Sequence, residues 1–148
     1  MNRYGQLVVV VSRIFLSIIF LVNGFGVIDQ SMAAKEMIEH GAPAAIVPFA
    51  MMIGRTLEII GGLGLGLGVF PQWSALVLVV FLVPATLVAH SFWFVAGTPA
   101  FQPLLLQFCK NLGMCGGLLF IAASPAQPAL LPKRTARSSV EKLATRAA

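Results

Sequence analysis

Long apolar stretches alternate with short polar connections along this chain, and the lengths of the apolar stretches predict its secondary structure. Four stretches, at about residues 7–27, 45–69, 73–96 and 101–123, are long enough to cross a hydrocarbon core as helices. Each exceeds the length of an ordinary strand and lacks the alternation of apolar and polar positions that strands show. The pattern therefore predicts an all-α protein, a four-helix transmembrane bundle.

The connections between the predicted spans differ in character. Residues 28–44 are polar and should form a short periplasmic amphipathic segment between the first two helices, whereas 70–72 and 97–100 are minimal turns built on Pro71 and Pro99. Such tight turns place consecutive helices side by side in antiparallel order. We therefore predict one transmembrane domain, residues 1–124, followed by a flexible basic tail at 125–148.

Composition and charge place the chain in a lipid bilayer. It is 58% hydrophobic and 10% charged, whereas soluble domains have about 25% charged residues. The formal net charge of +5 comes largely from the tail, and a basic tail suits anionic lipid headgroups, so no nucleic-acid partner is predicted. Lys and Arg concentrate in the tail and at Arg3, which predicts that both termini are cytoplasmic.

Polar side chains inside the predicted spans are the candidate functional residues, because each costs free energy in lipid unless it faces the bundle interior. They are Arg13 and Asn23 in the first span, Arg55 and Glu58 in the second, His90 in the third, and Lys110 and Asn111 in the fourth. Counting along the helices brings all except Arg13 to the outer half of the bundle. We expect a buried polar cluster there, in which Arg55 and Glu58, spaced i, i+3, can pair directly. Arg13 is either buried or extends to the inner interface.

The expected cluster contains more cations than anions, because Glu58 is the one carboxylate within the predicted spans. A neutral Lys110, ordered water, or an anionic or carbonyl-bearing ligand would balance it. Two interpretations stay open. The cluster fixes the packing of the helices, or it binds a ligand or moves a proton, with Glu58 and His90 as candidate catalytic groups. For His90 a hydrogen-bonded interfacial position is slightly favoured.

Small residues in two of the spans predict close helix packing. The glycines at G-x-x-x-G spacing are Gly62, Gly64, Gly66 and Gly68 in the second span, with Gly113 and Gly117 in the fourth. We expect these two helices to touch through their glycines, or one glycine face to form a homo-oligomer. Cys109 and Cys115 are too far apart on a helix for a disulfide and are interpreted as packing residues. No metal site is predicted, because no ligand spacing matches one.

Several short motifs occur in an order that resembles a known family. They are Asn23-Gly24-Phe25-Gly26, His40-Gly41-Ala42-Pro43, Glu58-Ile59-Ile60-Gly61-Gly62, Ala89-His90-Ser91-Phe92-Trp93 and Phe108-Cys109-Lys110-Asn111-Leu112. In this order and spacing they make the chain, from Arg13 to Ala123, similar to the DoxX family of small bacterial membrane proteins. A lysine expected in that family near Val27 or Ile28 is missing.

The resemblance implies a four-helix protein of the bacterial inner membrane, with Glu58, His90, Lys110 and Asn111 as signature polar residues. It also implies a link to redox chemistry, because the family takes its name from a membrane subunit of a thiosulfate:quinone oxidoreductase. A quinone is therefore the cofactor or substrate that the resemblance suggests.

Three functional hypotheses follow, in decreasing order of support. The first is a membrane subunit of a quinone-linked redox complex, in which Lys110, Asn111 and His90 hold a quinone or a small anionic ligand and Glu58 moves a proton. The redox centre would then belong to a bound cofactor or another subunit. The second is a non-catalytic scaffold or assembly subunit, whose glycine faces or basic tail recruit a membrane or peripheral protein. The third is a small transporter, ranked last because the sequence has no evident internal repeat or broken helix pair.

Overall fold

The computed structural model describes residues 3–124, so the predicted flexible tail at 125–148 lies outside the described residues. Within them the chain forms five α-helices and one 3₁₀ helix, without a strand. The α-helices are α1 (Arg3–Gly24), α2 (Ser31–Glu39), α3 (Val47–Leu67), α4 (Pro71–Ala89) and α5 (Phe101–Ala123), and the 3₁₀ helix is Phe92–Val95. Four segments are long and apolar enough to cross a membrane: α1, α3, α5, and α4 with the 3₁₀ helix. The predicted all-α fold with four spans is confirmed.

The third span differs most from its prediction. Its helix begins at Pro71, because the fixed φ of proline and its missing N–H suit the first helical position. It ends at Ala89 and does not continue to residue 96 as expected. The hydroxyl of Ser91 donates to the backbone oxygen of Val88 at 3.3 Å, and such local side-chain bonds compete with helix continuation. The chain then turns into the 3₁₀ helix.

The segment between the first two spans, which was predicted only to be polar and amphipathic, contains the short helix α2. Asp29 stabilises its start, because the carboxylate accepts hydrogen bonds from the backbone N–H of Ser31 at 2.9 Å and from the Ser31 hydroxyl at 2.7 Å. These bonds favour the ionised form and lower the pKa of Asp29 below its usual value. Asp29 is therefore negatively charged at neutral pH, beside the helix that packs on α3 and α4.

Glycines determine how closely the spans approach. An added Cβ on Gly61 would lie 2.7 Å from the Cγ of Leu78 on α4, and one on Gly62 would lie 2.9 Å from Leu21 Cδ2 on α1. α3 therefore packs tightly between α1 and α4, and α4 in turn packs on α5. Of the second-span glycines predicted to pack, Gly62 and Gly66 lie against α1 and Gly64 lies against α4. The expected contact between the glycines of α3 and those of α5 is wrong.

The other predicted packing glycines have different surroundings. Gly68 has φ +73° and ends α3 in a left-handed conformation, so it serves as a helix cap. Gly117 faces α1, where an added Cβ would lie 3.3 Å from Leu16 Cδ1. Gly113 has nothing within 4 Å of an added Cβ among the described residues. α1 and α5 share few contacts, so the bundle is open along this side.

The apolar core lies where all four spans meet. Phe20, Leu65, Leu78 and Leu118 contribute one buried side chain from each span. Cys115 is buried in this core, which confirms its packing role, whereas Cys109 is exposed.

Candidate functional site

A chain of hydrogen bonds connects α1, α3 and the residue that precedes α2. Arg55 Nε donates to Gln30 Oε1 at 3.0 Å, and Gln30 Nε2 donates to the backbone oxygen of Asn23 at 3.2 Å. The side chain of Asn23 then donates to Glu58 Oε1 at 2.6 Å. Exposed Arg55 is thus linked to buried Glu58 through two amide side chains, at the end of the bundle that carries α2.

The predicted direct pair between Arg55 and Glu58 is not formed. Gln30 competes for the guanidinium, which also lies against Gly26, where an added Cβ would be 3.5 Å from Nη2. Gly26 has φ +73°, a conformation that glycine adopts without steric cost, and it lets the loop after α1 pass close to Arg55. Sequence reasoning missed Gln30, because a polar residue outside the spans carries no burial cost to mark it.

Glu58 is the buried end of this chain of hydrogen bonds. Its side chain is 2% exposed, and Gly24 packs so closely that an added Cβ there would lie 3.2 Å from Glu58 Cβ. Glu58 Oε2 is buried without a hydrogen-bond partner among the described residues. Leaving a buried acceptor unsatisfied costs about 1–3 kcal/mol. A proton, a water molecule or a neighbouring donor at this oxygen would remove that cost.

A cleft of about 530 Å³ lies between α2 and α3, on the exposed side of the same chain of hydrogen bonds. Its polar lining includes Arg55, Asp29 and Ser31, and its apolar lining includes Met51, Met52 and Ile59. Arg55 uses Nε for Gln30, so Nη1 and Nη2 are available as donors. Apolar walls with a few fixed polar groups are typical of small-molecule sites.

A second polar contact joins α4 to α5. Asn111 Nδ2 donates to Thr86 Oγ1 at 2.9 Å, and Thr86 Oγ1 donates to the backbone oxygen of Leu82 at 2.7 Å. Asn111 is therefore bonded to its neighbouring helix and not to Glu58. Thr86 is buried but was not among the predicted residues, because a threonine in an apolar helix is commonly satisfied by its own backbone.

Comparison with known sequences identifies the family. The DoxX family model matches residues 8–91, which is more than half of the chain. The chain belongs to the DoxX family. Inner membrane protein YqjF of Escherichia coli K12 is 29% identical over 123 residues, covering 82% of this chain and 87% of YqjF. Inner membrane protein YphA of the same strain is 25% identical over 113 residues, covering 76% of this chain and 79% of YphA. No solved structure matches.

The predicted resemblance is thus confirmed, and with it the assignment as an inner-membrane protein with four spans. The cytoplasmic position of the termini stays a prediction. Residues 8–91 of the DoxX match include Asn23, Glu58 and His90, whereas Lys110 and Asn111 lie beyond it.

His90 follows the last residue of α4 in this DoxX protein and, within residues 3–124, makes no hydrogen bond to the polar residues of α1 and α3. Its Nδ1 is buried without a hydrogen-bond partner among the described residues, so the predicted interfacial hydrogen bond is not made by this atom. The neighbouring Ser91 hydroxyl lies 3.0 Å from His40 Nε2. The His40 ring also packs on Phe94, with ring centroids 5.6 Å apart. His40, for which the sequence predicted no role, therefore connects the end of α2 to the 3₁₀ helix through these two contacts.

Lys110 and Arg13 both lie apart from Glu58. Lys110 is exposed on α5. Arg13 is 0% exposed, so its side chain does not extend to the interface. An added Cβ would meet Leu21 if placed on Gly62 and Ser17 if placed on Gly66, so α1 and α3 run antiparallel. Arg13, four residues before Ser17, therefore lies toward the end of α3 that is remote from Glu58. The expectation of one convergent polar cluster is therefore wrong.

Several His, Cys, Asp or Glu side chains must meet to hold a metal ion. Residues 3–124 bring together no group of three or more of them.

Proposed function

We propose that this DoxX protein is the membrane subunit of a quinone-linked redox complex and that it holds the quinone in the cleft between α2 and α3. The observation that carries the proposal is Arg55. Gln30 orients its guanidinium through Nε, and the two terminal nitrogens remain available in a cleft that Met51 and Met52 also line. A guanidinium donates strong hydrogen bonds to a carbonyl oxygen, and apolar walls accommodate a ring and the start of an isoprenoid tail.

The charge of the cleft favours a neutral quinone over a small anion. Arg55 contributes one positive charge, and Asp29 contributes one negative charge because its pKa is lowered by the hydrogen bonds from Ser31. A neutral ligand adds no uncompensated charge to this pair. Arg55 also lies about 12 Å along the membrane-spanning helix α3 from Val47, so we expect a ligand dissolved in the bilayer to approach the cleft from its α3 side.

In this proposal Asn23 and Glu58 are positioning residues. Glu58 holds the Asn23 side chain, and the backbone of Asn23 holds Gln30, which orients Arg55. A partner subunit supplies two electrons, and the quinone also takes up two protons to become the quinol. The proton roles of Glu58 and His90 and the ligand-binding roles of Lys110, Asn111 and Arg13 stay predictions.

Binding of a short-chain ubiquinone analogue to the protein in lipid nanodiscs tests the proposal. Arg55→Ala should weaken binding about ten- to hundredfold, because hydrogen bonds from a charged donor contribute about 1.5–3 kcal/mol. Lys35→Ala is the matched control, since Lys35 is an exposed cation on α2 that does not line the cleft. An unchanged affinity in Arg55→Ala, or an equal loss in Lys35→Ala, contradicts the proposal.

A non-catalytic scaffold is the second candidate, and one observation favours it. Asn23–Glu58 joins α1 to α3, and Thr86–Asn111 joins α4 to α5, so each polar pair stabilises a helix contact. If the protein is only a scaffold, Glu58→Ala lowers stability and the yield of the complex, and the purified protein binds no quinone. If the cleft binds quinone, Glu58→Ala also weakens that binding, because Arg55 loses its support.

A further inference from the structure

Lys110 presents a charge to the lipid near the middle of a membrane-spanning helix. It is exposed on α5, a helix of 23 residues that begins at Phe101. Nine residues of helical rise place its Cα about 13 Å from that start. Helical side chains lean toward the N-terminus of their helix, and an extended lysine reaches roughly 6 Å. The ammonium group therefore stays several ångströms inside the helix end, where a charge facing lipid is unfavourable unless it is paired.

The surface around Lys110 has the shape of a helix-packing face. Leu106, Gly113 and Gly117 lie at i−4, i+3 and i+7 from Lys110 and so share its side of α5. We call these four residues the Lys110 face. Leu106 is 56% exposed, and an added Cβ on Gly113 would meet nothing within 4 Å. An added Cβ on Gly117 would lie 3.3 Å from Leu16 Cδ1 on α1. Because α1 and α5 share few contacts, the groove next to this face is open.

We propose that the Lys110 face binds a transmembrane helix of a different protein, which carries an Asp or Glu at the depth of Lys110. The carboxylate would pair with the ammonium group, and the two glycines would let the helix backbones approach closely. Charge complementarity selects this occupant. Without such a partner, the protein leaves an exposed cation unpaired in hydrocarbon.

A second copy of this chain does not offer the required group. Within the described spans Glu58 is the single carboxylate, and it is 2% exposed and bonded to Asn23. The other described carboxylates, Asp29, Glu36 and Glu39, lie on α2 or next to it, outside the spans. The Lys110 face is on α5 and the quinone cleft is between α2 and α3, so the two proposals fail independently.

Site-specific photocrosslinking in cells of the native host tests the interface. A photoreactive amino acid at Leu106 should form an adduct with another membrane protein that has Asp or Glu within a span. Leu112 is the matched control position, because it is 62% exposed but lies about 200° around the helix from Lys110. The adduct should fall roughly three- to tenfold in Lys110→Met, persist in Lys110→Arg, and disappear in Lys110→Glu. Changing the partner's acid to Lys should restore it with Lys110→Glu.

Other outcomes overturn the inference. They are an adduct between two copies of this chain, lipid adducts alone, an adduct that Lys110→Met leaves unchanged, and a captured protein without an intramembrane acid. Purified Lys110→Met should be as stable as the wild-type protein or more stable, because the change removes a charge from apolar surroundings. A loss of stability in that variant assigns Lys110 an internal role and also overturns the inference.

Discussion

Removing the side chain of Asn23 deprives Glu58 of the short hydrogen bond that its Oε1 accepts from Asn23 Nδ2. That bond is 2.6 Å long, the second carboxylate oxygen is already unpartnered, and Glu58 is 2% exposed. A hydrogen bond to a charged group contributes about 1.5–3 kcal/mol in soluble proteins. Interhelical bonds in membranes average about 0.6 kcal/mol with a maximum near 1.7 kcal/mol. Because this bond is short and buried, we expect Asn23→Ala to cost about 1.5 kcal/mol.

A double-mutant cycle isolates this contribution. Asn23→Ala, Glu58→Ala and the double variant are unfolded with SDS in mixed micelles, and the transition is followed by tryptophan fluorescence. We expect a coupling free energy of about 1–1.7 kcal/mol. Asn23→Ala combined with Asn111→Ala is the control, because the two asparagines bond to different helices; their effects should add within about 0.5 kcal/mol. A coupling near zero for Asn23 and Glu58 refutes the assigned bond.

Two further predictions concern packing and topology. Gly61→Ala should lower stability by about 1–3 kcal/mol because its Cβ would overlap Leu78. Gly113→Ala is the control, because its added Cβ meets nothing within 4 Å; it should leave stability unchanged or raise it by up to about 1 kcal/mol. The thermal stability of both variants is measured in detergent. Equal stability of the two variants contradicts the packing described for α3. The topology is tested with single cysteines in a cysteine-free background. Lys35→Cys, in the predicted periplasmic segment, should react with a membrane-impermeant maleimide in intact cells, whereas Ala148→Cys at the C-terminus should react only after lysis. The reverse pattern contradicts cytoplasmic termini.

The membrane spans and the burial of Glu58 could be predicted from the sequence, because both follow from the cost of placing polar groups in hydrocarbon. Hydrocarbon thickness determines the length of an apolar helix, so residues 101–123 were predicted with their observed bounds. The cost of charge in lipid likewise marked Glu58 as a residue that must face the interior, and its side chain is buried.

The predictions that the structure contradicts depend on which way a side chain points, which the position of a residue along its helix does not determine. Lys110 is expected in the interior because a charge facing lipid costs free energy, but the rotation of α5 turns it outward. That rotation depends on packing with α4 through contacts such as Asn111–Thr86. The pair between Arg55 and Glu58 was expected from helical spacing, yet Gln30 reaches Arg55 from a loop whose position no periodicity predicts. The cleft between α2 and α3 was missed for the same reason.

Photoaffinity labelling with an azido-quinone in nanodiscs tests the central proposal most directly, because peptide mapping locates the bound ring. We expect the label in residues 47–59 of α3 or in the segment from Gly24 to Ala34, which together line the cleft, and we expect an excess of unlabelled quinone to remove it. Arg55→Ala should lose the label, and Lys35→Ala should keep it. Labelling confined to α4 or α5, or labelling that neither competition nor Arg55→Ala reduces, contradicts the quinone site.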